Sequence, residues 1–264
     1  MVVESQFPAP VDASWTLKEL SVRVETLTHR AGRVTAKSAL IYDDGMAPRR
    51  PLLLVSSNWL GMTAESVQRV MKMAAGRYVA LLVDMYGEGK KASASVEIVE
   101  LAKGLREDVP ERRRRIAAAL EVLDSAGRDR GIGDASHKAA VGFCFGGGNV
   151  LELARGGADL DAAICVHGDL LTTHKAKHGD IKTSIFVLHG AADPVVPKTA
   201  RDVFEEEMTA AGSKWQMLTF GGVLHSFSEE ETNVPGISQF DSAAAFQTYK
   251  MIDDYIEGTL AGVL

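Results

Sequence analysis

The sequence predicts an α/β fold: a mostly parallel central sheet with helices on both faces and an antiparallel edge at its N-terminal side. Three observations lead there. Short unbroken apolar runs recur along the chain, segments of helical hydrophobic period separate them, and an alternating apolar–polar stretch precedes them all. A chain of 264 residues suits one large unit of this kind and is too short for two complete ones. We therefore expect a single domain over 1–264, with 1–19 as an N-terminal extension.

The elements follow in order. Residues 20–42 alternate apolar and polar side chains around a turn at Arg30-Ala-Gly-Arg33, the pattern of an antiparallel pair at a sheet edge. Unbroken apolar runs then predict strands at 51–56, 78–84, 138–142, 162–166, 184–188 and 215–220. Helices are expected at 64–75, 96–106, 110–126, 146–155, 198–211 and 239–258. Right-handed crossovers between successive strands place these helices on both faces. Ligands of such sheets sit beyond the carboxyl ends of the strands, so the chemistry is sought there.

Composition excludes several functions. Apolar residues at 46% and charged residues at 24% match ordinary globular proteins rather than disordered or fibrous ones. A formal net charge of −6 repels polyanions, so neither nucleic acid nor anionic lipid is expected as a partner; a small neutral molecule is. The basic run Glu111-Arg-Arg-Arg-Arg-Ile116 points in nearly all directions around a helix and reads as a solvated helix start. The opening MVVESQFPAPVDAS lacks the basic flank and apolar stretch of a secretory signal, which makes the cytoplasm the expected location. Apolar runs such as Tyr78-Val-Ala-Leu-Leu-Val83 fall far short of the ~20 residues of a membrane helix. Two cysteines, Cys144 and Cys165, give no disulfide framework and no cysteine zinc site.

One stretch stands out. Ala140-Val-Gly-Phe-Cys-Phe-Gly-Gly-Gly-Asn-Val150 leaves a strand and enters a helix, with glycines two residues either side of the thiol: Gly142-x-Cys144-x-Gly146. This is the spacing of a nucleophile elbow with sulfur in place of oxygen. The bend leaves no room for side chains at the glycines, and the helix N-terminus behind the thiol favours the reactive thiolate. Taken alone, a lone cysteine is equally well a small core residue. Dinucleotide and P-loop readings fail, because Gly146-x-Gly148-x-x runs into Leu151 and no Lys-Ser/Thr follows.

Context comes from two further strand ends. Asp193 lies in His189-Gly-Ala-Ala-Asp-Pro-Val-Val-Pro197, and His225 in Gly221-Gly-Val-Leu-His-Ser-Phe227. The order nucleophile, acid, histidine is that of α/β-hydrolases, and all three residues fall on one sheet edge.

These residues resemble the dienelactone hydrolase family, α/β-hydrolases with a Cys-Asp-His triad. The likeness runs from about residue 51 to the C-terminus and rests on Gly142-Phe-Cys-Phe-Gly-Gly147, on Asp193 with its Pro-Val-Val-Pro, and on His225-Ser-Phe227. It implies Cys144 as nucleophile, His225 as base and later acid, and Asp193 as the group that fixes the His225 tautomer. It also implies an oxyanion hole built from the backbone N–H groups of Phe145 and of Trp59, the latter in Asn58-Trp-Leu-Gly61.

The chain departs from that family at three points. The position before the oxyanion donor, a glutamate in the dienelactone hydrolases, is Asn58; an amide takes no proton, so either His225 ionises Cys144 directly or Asn58 merely ties the loop together. Two arginines that bind a substrate carboxylate in the family are here Glu88 and Glu229, which suit neutral substrates: carboxylic esters, lactones, or activated neutral phosphate esters. Asn58, Tyr86, Glu88, His167 and Glu229 are taken as the pocket, with Trp59 and Tyr86 as walls. Cys165 reads as core. His174 and His178 stand four apart but lysines interleave them and no acidic third ligand is evident, so no metal is expected, and no cofactor. The expected activity is cysteine-dependent ester hydrolysis; the alternative is a non-hydrolytic ligand-binding or thiol-redox protein on the same fold.

Overall fold

The computed structural model describes residues 21–45, 49–90 and 96–264, so the extension expected over 1–19 lies outside the described residues. Eight strands form one sheet in the order β1-β2-β4-β3-β5-β6-β7-β8. The edge hairpin comprises β1 (Val22–Ala31) and β2 (Val34–Asp43), antiparallel to each other and joined at Gly32, whose φ of 54° suits a residue without a side chain. β2 runs antiparallel to β4 (Val79–Leu82). From there β3 (Arg50–Ser56), β5 (Gly133–Phe143), β6 (Ala162–Val166), β7 (Ser184–Gly190) and β8 (Trp215–Phe220) are parallel.

Burial on both faces explains why these strands read as continuous apolar runs. Along β3, Leu52 and Leu54 face one core and Leu53 and Val55 the other. The first core packs under α2 (Val96–Glu107), α3 (Val109–Asp129), α4 (Phe145–Arg155) and α5 (Lys198–Ala210), through side chains such as Leu105, Leu123, Val150 and Phe204. The second packs under α1 (Ala64–Ala74) and α6 (Ser242–Leu260), through Val70, Met73, Ile252 and Tyr255.

Three expectations need correction. β5 begins at Gly133, five residues before its apolar run, because only its distal half is fully buried; the register against β3 shifts between Pro51 and Leu52, which absorbs the polar residues. α6 begins at Ser242, capped by the Asp241 side chain on Ala244 N–H, since residues 238–239 pair with 233–234 as the short strands β9 (Asn233–Val234) and β10 (Ser238–Gln239). The basic run at the start of α3 is not a solvated face. Glu111, Arg112 and Arg115 are buried, and Glu111 accepts from Arg115 Nε at 2.9 Å, from Arg114 Nε at 3.1 Å and from the Arg33 backbone N–H at 2.7 Å. Arg112 donates to Asn149 Oδ1 at 2.5 Å and to the carbonyl of Phe145 at 3.1 Å, so it braces the residue after Cys144. Periodicity cannot distinguish a solvated charge from one that has found buried partners.

Candidate active site

The segment joining β5 to α4 makes its bend at Cys144, where φ is 51° and ψ −119°, a strained conformation for any residue with a side chain. The two flanking glycines make it possible. A Cβ at Gly142 would sit 2.0 Å from the carbonyl oxygen of Gly146, and one at Gly146 would sit 2.0 Å from that of Ser56. Each collision is with backbone, which cannot move aside as a side chain does. The bend puts Sγ beyond the strand end at the mouth of α4, whose first amide, Phe145 N–H, has no protein acceptor among the described residues.

The loops after β7 and β8 bring the other two residues to that sulfur. His225 Nε2 lies 3.2 Å from Cys144 Sγ, and His225 Nδ1 lies 2.7 Å from Asp193 Oδ2. The second Asp193 oxygen accepts the N–H groups of Val195 at 2.7 Å and Val196 at 2.9 Å, which fixes the carboxylate. All three side chains are buried. The β9–β10 pair holds the His225 backbone: its N–H donates to the Ile237 carbonyl at 3.3 Å, and its carbonyl accepts from Gln239 N–H at 3.0 Å. Burial opposes a charge on the His225 ring, but its bonds to Asp193 and Cys144 outweigh burial and lift it to about 10. Burial likewise raises Asp193, while the bond from His225 outweighs it and keeps the carboxyl below its ordinary range.

The loop after β3 packs against this bend, where Gly146 meets the carbonyls of Ser56 and Ser57. Asn58 Oδ1 accepts from Leu60 N–H at 2.9 Å, and the Trp59 carbonyl accepts from the Tyr86 hydroxyl at 2.7 Å, leaving Trp59 N–H with no protein acceptor among the described residues. Tyr86 stacks on Phe145 with ring centroids 5.8 Å apart.

Of the residues expected in the pocket, Tyr86 and His167 border this centre, while Asn58 is buried in the loop after β3. His167, fully buried, takes a φ of 38° just past β6, bonds Ser228 Oγ at 2.8 Å through Nε2, and meets the His225 ring edge-on at 5.3 Å. Burial first, and the charge on His225 second, push its pKa well below the ordinary range, so it stays neutral. The two glutamates are placed otherwise. Glu88 lies exposed beside β2, its carboxylate 3.1 Å from Lys37 Nζ. Glu229 is buried rather than solvated and accepts from Asn58 Nδ2 at 2.8 Å. Neither presents a free negative charge to a substrate, so neither repels an anionic one.

Sequence reasoning passed over His189, Arg69, Arg112 and Ser228. His189 follows the β7 apolar run, fully buried, donating Nε2–H to the Val196 carbonyl at 3.0 Å and lying 3.7 Å from Asp193 Oδ2; burial keeps it neutral. Its place four residues before Asp193 was the available signal. Among the described residues no three His, Cys, Asp or Glu side chains are grouped to hold a metal, and no helix is long and apolar enough to cross a membrane.

A cavity of about 500 Å³ between α1 and α6 does not open on this centre; its lining includes Arg69, Tyr249 and Ser228 but neither Cys144 nor His225.

The family model of the dienelactone hydrolase family matches residues 38–257. The chain belongs to the dienelactone hydrolase family. By that membership it is an α/β-hydrolase that cleaves ester-type bonds. Among solved structures, this family member resembles a dienelactone hydrolase-like promiscuous phosphotriesterase from metagenomic libraries, at 29% identity and a TM-score of 0.81, covering 90% of this chain and 99% of the other. An uncharacterized protein of Caenorhabditis elegans is 32% identical over 151 residues, 56% of this chain and 93% of its own. A Yersinia pestis protein provisionally named a carboxymethylenebutenolidase is 23% identical over 190 residues, 68% of this chain and 69% of its own.

Proposed function

We propose that this dienelactone hydrolase family member is a cofactor-independent cysteine hydrolase of esters and lactones, working through Cys144, His225 and Asp193. The observation that carries the reading is the unbroken chain Sγ–imidazole–carboxylate, 3.2 and 2.7 Å long, at a strained bend. His225 takes the thiol proton, and the imidazolium, steadied by Asp193, stands beside the thiolate. Sulfur attacks the carbonyl carbon. The developing oxyanion is held by the N–H groups of Phe145 and Trp59, a contribution of roughly 10²–10³ in rate per donor. As the tetrahedral adduct collapses, the C–O bond breaks and the leaving oxygen takes the Nε2 proton. Water then gives a proton to Nε2 and its oxygen to the thioester carbon, releasing the acid and restoring the thiolate–imidazolium pair.

The same site suits activated phosphotriesters, whose phosphoryl oxygen also gains charge during attack; the metagenomic relative's promiscuity supports including them. The likeness to the Yersinia protein supports lactones. Neutral substrates fit a buried, water-poor sulfur. We read residues 1–264 as one domain in the cytoplasm, where two unpaired thiols stay reduced.

An internal disulfide in the thiol-redox alternative needs a second thiol of this chain to resolve oxidised Cys144. Cys165 is poorly suited, since burial pushes its thiol up to about 12. The deciding experiment is an aryl ester assay under reducing conditions. Turnover lost in Cys144→Ala and in His225→Ala supports the hydrolase; equal rates in all three proteins would show that the fold serves binding instead.

A further inference from the structure

Two loops must hold still together for this chemistry: the one after β3, which carries the Trp59 amide, and the one after β8, which carries His225. Trp59 and His225 are 166 residues apart in the chain, and one buried carboxylate joins their loops. Glu229, four residues beyond His225 and 1% exposed, accepts from Asn58 Nδ2 at 2.8 Å. The other end of the Asn58 side chain accepts from Leu60 N–H, so the side chain closes a turn around Trp59 while its amide nitrogen is held by Glu229.

A third segment closes the joint. Arg69 of α1 lies 3.4 Å from Glu229 Oε1 through Nη1, donates to Glu231 Oε1 at 2.9 Å through Nη2, and sets its guanidinium 5.2 Å above the ring of Phe143, the residue before the nucleophile. Burial pushes the Glu229 carboxyl upward, and Arg69 and Asn58 pull against it.

Such an arrangement is a poor way to gain stability. Taking a carboxylate and a guanidinium out of water is costly, and apolar residues of the same size commonly do as well or better. What the charged joint supplies is direction. A carboxylate oxygen with two donors fixes where Asn58 points, and Asn58 fixes the peptide plane behind Trp59 N–H. We propose that Glu229, held by Arg69, is a positioning residue that aims the Trp59 amide at the oxyanion through Asn58. The proposal rests on the thiol-hydrolase reading above.

The test separates aim from general loosening. Oxyanion binding matters when a carbonyl is attacked; alkylation of Cys144 by iodoacetamide needs the thiolate and His225 but develops no tetrahedral oxyanion. Glu229→Leu, which removes the acceptor, is expected to lower kcat on 4-nitrophenyl acetate roughly 10–100-fold with KM changed less than about threefold. Its alkylation rate is expected within about threefold of wild type. Glu229→Gln keeps an oxygen for Asn58 and is expected to retain kcat within about fivefold. Wild-type kcat in Glu229→Leu, a fall in alkylation parallel to turnover, or a Gln variant as damaged as the Leu variant would each overturn the proposal. Should Glu229→Leu fail to fold, Asn58→Ala leaves the Glu229–Arg69 pair intact and is read by two of these outcomes: wild-type kcat, or alkylation falling in parallel with turnover, overturns the proposal. Failure of the underlying reading shows separately, as turnover that survives Cys144→Ala.

Discussion

One thiol lies within β6 and the other just past the end of the neighbouring β5, and the two have opposite surroundings. Cys165 pairs across β6 with Gly142 of β5, two residues short of Cys144 in that register. It is fully buried, and the absence of side chains at Gly147 and Gly168 leaves room for its sulfur. Cys144 stands past the strand end, at a positive φ, 3.2 Å from an imidazole. The residue type is identical; a bend and a neighbour make the difference. Sulfur is placed for reaction where the backbone pushes it off the sheet and a proton acceptor meets it, and packs as filler where neither happens.

The contrast is sharpest in reactivity. Cys144→Ala is expected to lower aryl ester turnover by about 10⁴-fold or more, whereas Cys165→Ala keeps it within about threefold. Brief iodoacetamide treatment of wild type followed by peptide mass spectrometry should place the adduct on Cys144, and substantial labelling of Cys165 in folded protein would erase the distinction. Next comes the partner. Asp193→Asn, which leaves the imidazole without its orienting acceptor, is expected to cost roughly 10²–10⁴ in kcat while circular dichroism stays unchanged.

The bend itself is tested by Gly146→Ala. The added methyl meets the Ser56 carbonyl oxygen at 2.0 Å, so a loss above about 4 kcal/mol in urea unfolding is expected, or failure to accumulate folded protein. On the other side of the comparison, Cys165→Ser swaps the buried sulfur for a hydroxyl in a site that offers little polar company; about 1–3 kcal/mol should be lost, with turnover retained. The gentlest effect is in pH. In the fold His225 holds its proton to about 10, above an ordinary value near 6.5. Its contribution to stability is therefore complete below pH ~6.5 and disappears as pH rises through about 10. Urea midpoints should fall across that window more in wild type than in His225→Gln, and equal slopes would mean that Asp193 does not hold the ring.

How legible this was depended on the kind of signal. Strands buried on both faces write themselves as apolar runs, so β3, β6, β7 and β8 were placed within a residue or two. The Gly142-x-Cys144-x-Gly146 spacing was legible because both glycines answer to backbone atoms. Asp193 and His225 could be named because each follows a strand that ends on the same edge, and the described loops bring both to Cys144. What stayed hidden were charges that find partners far away in sequence. Arg112 reaches Asn149 and the Phe145 carbonyl, and Glu229 reaches Asn58, 171 residues distant. A local window shows a charge and assigns it to water. The short β9–β10 pair escaped for a related reason: two residues per strand leave no alternation to read.

The glycine bed beneath Cys144 also says where variation is free. Because Gly142 and Gly146 answer to main-chain oxygens and not to sulfur, exchanging the thiol for a hydroxyl changes one atom and leaves the turn as it was. Drift between cysteine and serine chemistry at residue 144 thus runs through a single codon, while the glycines on either side are locked for as long as the turn is kept.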